Sequence, residues 1–432
     1  MSGTINPKYI VVERRRFNMN TYFDIKDTVY NITCKYEEAI ALLVAVGIDQ
    51  MKDVAQRETI GKTISLEMVL QLKEIDVQTF EERLVETIEE NSENVDQGLR
   101  IKVKKENPKI KVEGVLPCPV KIPLLEGFEN WLQTQENQWV KDLDYNFKAA
   151  SMGVDWLKEA LVTSTSADTL SDLFISAGFD LFFDRNLIGK HRTQKAFKDY
   201  SSIKTYNQDF DHDGLRLKDP AGHYAMLGVV PAIFLVNISE LGARKAPTSW
   251  KELLEPEYEN SVSLPIGDFD LFNAILLNIY KNYGETGIQK LGKSLLKSMH
   301  PSEMVKSHIK KNNRPAITIM PYFFTKMTKA GGPMEAVWPS DGAIISPIFM
   351  LSKTSKQKEL QPIIDFFTSK EVGEILSHQG RFPSVHPEVD NRVPKTNPYM
   401  WLGWDFINDN DIGELIKKLE QLFDSNSGRR QI

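Results

Sequence analysis

Cys118 is the most reactive side chain this sequence offers, and its setting is stiff: Leu116-Pro117-Cys118-Pro119-Val120-Lys121. A nucleophilic thiol must be acidified by a nearby base or helix dipole. The other functional reading is ligand contact by Cys118 and the surrounding backbone, with Lys121 as a charge partner. The competing reading is a buried, inert cysteine in a proline-held turn. The run Asp268-Phe269-Asp270-Leu271-Phe272-Asn273 lies between a strand ending near Pro265 and a helix through Tyr280. Asp268 or Asp270 can cap that helix, or these carboxylates and the Asn273 amide can contact a ligand. His300, in Ser298-Met299-His300-Pro301-Ser302, is either a metal or ligand donor or a structural histidine. Tyr322 opens Tyr322-Phe323-Phe324 after an apolar strand. It offers one phenol, an oxygen donor that suits hard Fe(III), or it is aromatic core. Trp338 can close over a ligand and Asp341 can hold a cation, or both are buried at a junction. Tyr224 starts a long apolar run. His212, flanked by Asp211 and Asp213, reads as a solvated loop.

The elements that must position these groups fall into two patterns. Residues 23–90 read as helices. Ile40, Leu43 and Val44 follow a helical spacing ended by Gly47, and Ser65 and Asp76 stand where N-caps belong, ahead of Leu66, Val69 and Leu70 and of Phe80, Leu84 and Ile88. Residues 91–109 are polar, acidic and then lysine-rich, which reads as a linker with a domain boundary near 108. Strand and helix signals then alternate: Val112 to Leu116, Leu124 to Leu132, Leu143 to Phe147, Val154 to Val162, Asp172 to Ile175. This succession predicts βαβ units and a mostly parallel sheet. Two apolar runs, Tyr224 to Asn237 and Ile344 to Leu351, contain Pro231 and Pro347. Proline there favours an edge or a crossing segment over a central strand.

The bulk properties exclude several classes. With 432 residues and a formal charge of −6, the chain has room for two or three domains and no basic excess for nucleic acid. Its two cysteines, Cys34 and Cys118, make neither a disulfide scaffold nor a thiolate zinc site. The N-terminal residues do not read as a secretory signal and no run is long and apolar enough to span a bilayer, so the expected location is the cytoplasm, without membrane insertion. The sequence has no P-loop, no G-x-S-x-G and no H-E-x-x-H.

Residues Pro247-Thr248-Ser249-Trp250-Lys251-Glu252-Leu253-Leu254-Glu255-Pro256-Glu257-Tyr258 resemble the P-x-S-W-x-D-L-L-x-P-x-Y segment of type II solute-binding proteins of ABC importers, closest to the ferric-iron branch. Ile364-Asp365-Phe366-Phe367-Thr368-Ser369-Lys370-Glu371-Val372-Gly373 and Gly380-Arg381-Phe382-Pro383 resemble that branch's C-terminal helix and following turn. The resemblance spans roughly residues 110–400. Residues 23–85 resemble a small helical domain of unknown function whose members often carry a redox cysteine pair; here Cys34 stands alone.

The resemblance implies an α/β, two-lobed type II solute-binding fold preceded by a small all-α domain. Residues 1–22 form an N-terminal segment, 23–90 the helical domain, 91–109 a linker and 110–432 the solute-binding domain. Lobe 1 takes about 110–228 and 352–432, lobe 2 about 237–343, with Gly228–Asn237 and Ala343–Leu351 as crossings. The loop after the first strand, the junction at 268–273, the loop at His300, and Tyr224, Tyr322, Trp338 and Asp341 would then face the cleft. The ferric branch binds iron through neighbouring tyrosines, and this chain has Tyr-Phe-Phe. The expected function is capture of a small molecule or metal ion, iron included, as a cytoplasmic sensor or carrier. A bound metal ion is the one cofactor in view. The helical domain is the expected contact for an ABC transporter or another protein. The alternative is an enzyme with Cys118 as nucleophile, and a third reading is a scaffold with a degenerate cleft.

Overall fold

The computed structural model describes residues 22–428, apart from 37, 74, 78, 82, 86, 89–107, 151–153, 194, 267–268, 300–303, 306, 310–312 and 329–330. The chain divides into two compact units near residue 101. The expected linker at 91–109 falls almost wholly outside the described residues. Among these, no helix is long and apolar enough to cross a membrane.

The first unit is built of short helices, Val29–Lys35, Glu38–Ala45, Val54–Thr59 and Leu66–Leu72. Its caps are those the residue types favour. The Met68 amide donates to Ser65 Oγ at 3.2 Å and the Thr79 amide to Asp76 Oδ1 at 2.8 Å, each satisfying an orphan N–H of a first turn. Gly47 takes φ +83° while the Ile48 amide returns to the Leu43 carbonyl at 2.9 Å, a left-handed stop that a side chain would resist. Leu42, Leu43, Leu66, Leu70, Phe80 and Leu84 are buried.

The second unit is organised by one twisted sheet. Strands β1 (Ile110–Leu116), β2 (Leu143–Ala149) and β3 (Leu173–Ala177) are followed by a small hairpin, β4 (Asp211–His212) and β5 (Leu215–Arg216). The long β6 (Tyr224–Asn237) leads to β7 (Val262–Leu264), β8 (Leu295–Ser298), β9 (Ile317–Pro321) and β10 (Met334–Val337). The chain returns through β11 (Ala343–Ser352) and ends its sheet at β12 (Tyr399–Met400). One half runs β2-β1-β3-β11-β6, the other β8-β7-β9-β6 with β10 on β6. β6 and β11 therefore serve the crossing, as expected. The sheet is mixed rather than mostly parallel: β1 is parallel to β2 and β3, and β7 to β8 and β9, but β6 and β11 are antiparallel to each other and to their other main neighbours. A βα alternation signals local crossovers; it carries no information on the long returns that bring β6 and β11 together. Pro231 and Pro347 lie at the centre of the sheet, not on an edge. Each lacks only a donor; the Pro347 carbonyl still accepts from the Gly178 amide at 2.9 Å.

Helices follow the strands where apolar spacing allows. Helix Lys121–Gln133 buries Leu124, Phe128 and Leu132, four residues apart. Phe128 lies 5.3 Å from Phe367 and 5.4 Å from Phe366, ring centre to ring centre; these two belong to helix Gln357–Phe367. A fully buried ring of this kind contributes about 2–3 kcal/mol. On the other face, one continuous apolar cluster runs from Phe174 and Tyr224 through Trp250 and Phe272 to Phe423. The last helix, Ile412–Asn426, packs on the helical span Phe269–Ser294 of the second half, which is broken at Gly284 by a φ of +64°: Phe423 meets Phe272 at 5.1 Å and Lys418 pairs with Glu285 at 2.7 Å. The assignment of residues 352–432 to the first lobe thus leaves out the main packing partner of the last helix.

Candidate solute site at the crossing strands

The two halves meet along β6 between Gly228 and Ala232. At Gly228 the pairing with β11 slips between Ile348 and Phe349, and on the opposite edge Ser384 bridges to Gly228. The Val229 amide donates to the Pro383 carbonyl at 3.0 Å. A Cβ on Gly228 would stand 2.8 Å from that carbonyl oxygen, so only glycine allows segment 381–384 to approach this closely. At Ala232, β6 takes Pro321 of β9 as its partner. The crossing therefore brings the chain after β9 beside the chain after helix Lys370–Glu374.

From the second half come Tyr322, on the turn Tyr322–Met327, and Trp338, just past β10. Their rings meet edge to face at 5.2 Å, and Trp338 meets Tyr399 of β12 at 5.4 Å. Trp338 Nε1 donates to the Pro398 carbonyl at 2.6 Å, which fixes its ring. Tyr399 is backed by Phe210 at 5.1 Å. Burial, then the charge of Asp209, pushes the Tyr399 phenol well above the ordinary tyrosine range. Its hydroxyl is buried with no hydrogen-bond partner among the described residues, as is Ser346 Oγ on β11.

From the first half comes a distorted turn. Helix Lys370–Glu374 runs into a π-helical stretch, Ile375–Gln379, and Arg381 follows at φ +49°. π-Helical turns and left-handed non-glycine residues cost energy and cluster at functional sites. The Arg381 guanidinium lies 5.2 Å from the centre of the Tyr322 ring and donates to Thr325 Oγ1. Phe382 stacks with Phe323 at 6.3 Å. Lys326 donates to the carbonyls of His378, at 3.2 Å, and Gln379. Burial, reinforced by the positive charge of Arg381, lowers the Lys326 pKa. Behind this turn, Gly380 abuts Val120, the residue that leads into helix Lys121–Gln133.

The residues singled out in the sequence distribute unevenly over this site. Tyr322 and Trp338 are brought together. Lys121 begins the adjoining helix and is only 6% exposed. Cys118 stands in the turn Cys118–Val120 directly after β1; its side chain, like that of Asp270, lies outside the described residues, as do Asp268 and His300. Asn273 is buried in helix Phe269–Ser294 with Oδ1 unpartnered. Two expectations are corrected. Tyr224 does not face a cleft: it is fully buried, stacked on Phe183 at 4.6 Å, with its hydroxyl donating to the Phe182 carbonyl at 2.7 Å. Asp341 does not await a cation: it accepts from the Trp250 amide at 3.0 Å, the Lys251 amide at 3.4 Å and the Tyr283 hydroxyl at 3.3 Å, holding the start of helix Trp250–Leu253. Arg381, Lys326, Tyr399 and the Phe323–Phe382 pair were not anticipated. The one available signal was an arginine inside Gly380-Arg381-Phe382-Pro383, a motif read only as a turn.

Among the described residues no three His, Cys, Asp or Glu side chains gather as a metal would require. The sequence pattern of bacterial extracellular solute-binding proteins matches residues 168–410, more than half of the chain. The chain belongs to this family. Its members' architecture recurs in solved structures at low identity. A ferric binding protein from Campylobacter jejuni aligns with TM-score 0.51 at 13% identity, over 74% of this chain and 100% of that one. The apo ferric ion-binding protein A of Pasteurella haemolytica aligns with TM-score 0.51 at 12% identity, over 75% and 100%. An ABC transporter structure from Clostridium perfringens gives 0.51 at 15%, over 73% and 100%. Identities this low establish the fold alone. No curated protein matches the sequence. As a member of the extracellular solute-binding family, the chain is a solute-binding protein with the fold of these structures, and the helical unit lies outside the matched span.

Proposed function

We propose that this solute-binding protein captures a small molecule, rather than a bare ferric ion, at the middle of the crossing strands. One observation carries the reading: Tyr322 and Trp338 from one half and Arg381 from the other converge where β6 changes partners, with Arg381 lying over the Tyr322 ring. A trivalent cation calls for several anionic oxygen donors. This wall offers aromatic faces and cations instead. The buried, unpartnered Tyr399 hydroxyl and Ser346 Oγ supply polar groups that a bound solute or ordered water would satisfy. Binding at a junction of two halves stabilises their closed arrangement through contacts made only when both are in place.

Thermal denaturation of the full chain against a solute panel tests this, since a ligand selective for the folded state raises stability by about RT ln(1 + [L]/Kd). A saturable rise with an organic solute, abolished by Trp338→Ala, is expected. A rise with ferric citrate accompanied by a visible tyrosinate–iron absorption band would overturn the preference for a small molecule.

A further inference from the structure

Resting on that reading, we infer that the solute is a small organic anion: its negative group lies against Arg381 and Lys326 beside the first turn of helix Lys121–Gln133, and its flat apolar part lies against Tyr322 and Trp338. The cations carry the argument. Arg381 and Lys326 sit close together on facing segments, and neither has a carboxylate partner among the described residues. Among the described residues the Arg381 guanidinium has one acceptor, Thr325 Oγ1. The remaining donors form a planar fork of the kind that carboxylates and phosphates engage with two parallel bonds. Lys326 holds two backbone carbonyls, which fixes its ammonium beside Arg381 without neutralising either charge.

Lys121 is an independent observation. It is buried and pairs with no acid or acceptor among the described residues. A lysine whose long stem is covered in this way keeps a positive charge at the start of the helix. It stands at the start of a helix of 13 residues, whose free N–H groups favour negative charge. The approach of Gly380 to Val120 sets this helix start directly behind the Arg381 turn. Two facing cations beside a helix N-terminus repel one another until an anion joins them. The strained φ of Arg381 is the kind of local cost that a binding geometry maintains. The Tyr322 and Trp338 rings, edge to face with centres 5.2 Å apart, complete a wall suited to a flat apolar group.

The test uses the full chain, with phenyl phosphate and benzoate as anionic probes, inorganic phosphate as the headgroup alone, and spermidine and glucose as non-anionic controls. Calorimetric titration is expected to show saturable binding of an aromatic anion, weakened by rising sodium chloride. Arg381→Gln should weaken it by about tenfold or more and Lys326→Gln by a smaller factor. Circular dichroism and melting without solute establish that each variant is folded; if Arg381→Gln fails to fold, Lys326→Gln and Lys121→Met carry the comparison. Binding of inorganic phosphate as tight as phenyl phosphate would remove the aromatic part of the inference. Saturable binding of spermidine or glucose with none of the anions would overturn it while leaving solute capture standing. Anion binding unchanged in all folded variants would overturn it too. Binding by no probe of either kind, with nothing retained in native mass spectra of the purified chain, would sink both this inference and the reading on which it rests.

Discussion

The ring of Phe323 lies nearly parallel to that of Phe382, 23° between planes and 6.3 Å between centres, and so joins the turn after β9 to the turn after helix Lys370–Glu374. Phe323 also packs against the apolar cluster of the first half. One side chain of the second half is therefore seated in the core of the first.

Phe323→Ala should loosen that seat. The residue is half-buried, so the expected loss is about 2 kcal/mol, below that of a fully buried phenylalanine. Urea denaturation measures it, and small-angle scattering should show a larger radius of gyration if the halves part. An unchanged midpoint would mean that the stacking adds nothing to closure.

Tyr224→Phe removes the hydroxyl that donates to the Phe182 carbonyl and leaves a buried acceptor unpaired. A cost of about 1–2 kcal/mol is expected, with solute affinity unaltered. A change in affinity at constant stability would return Tyr224 to the site.

Asp341→Ala should cost about 1–2 kcal/mol, because the Trp250 and Lys251 amides lose their carboxylate acceptor while the Ser249 cap of the helix remains. Burial first, and then the Asp341 charge, pushes the Tyr283 phenol up to about 12. Spectrophotometric titration should find a phenol titrating lower in the variant. Calcium or magnesium should leave the wild-type melting point unmoved; a cation-dependent rise would contradict the capping role.

Glu420, on the last helix, has its carboxyl raised from about 4.5 to about 7, chiefly by burial and then by the negative charges of Asp180 and Asp424. The folded chain therefore holds this proton more tightly than the unfolded one. The resulting stability is full below about pH 4.5 and is lost as pH rises to about 7. Glu420→Gln should keep it, so the variant's melting point should gain on wild type across that interval. Parallel pH profiles for the two proteins would disprove the assignment.

What the sequence disclosed was local. Ser65, Asp76 and Gly47 announce helix ends because capping depends on a few neighbouring residues. Pro231 and Pro347 mark the crossings although the ladder stays in register at both, its one slip lying between Ile348 and Phe349. The site was less legible. Arg381 and Tyr322 are brought together by a crossing that spans both halves, and no spacing along the chain encodes their approach. Tyr224 misled for the opposite reason: a tyrosine at the head of an apolar strand has the same pattern whether its hydroxyl meets solvent or, as here, a backbone carbonyl in the core. Asp341, next to glycine, reads as a turn; that its carboxylate serves a helix about ninety residues earlier is a tertiary fact.

The packing of helix Ile412–Asn426 on helix Phe269–Ser294 sets an order of events during synthesis. The apolar face that includes Phe272, Ile288 and Leu291 leaves the ribosome well before Phe423 exists to cover it. At bacterial elongation rates the delay is on the order of ten seconds. A nascent chain in that interval presents an apolar surface, and a chain stopping between residue 294 and Ile412 keeps it exposed. Helix Ile412–Asn426 thus covers late in synthesis a face that helix Phe269–Ser294 presents early.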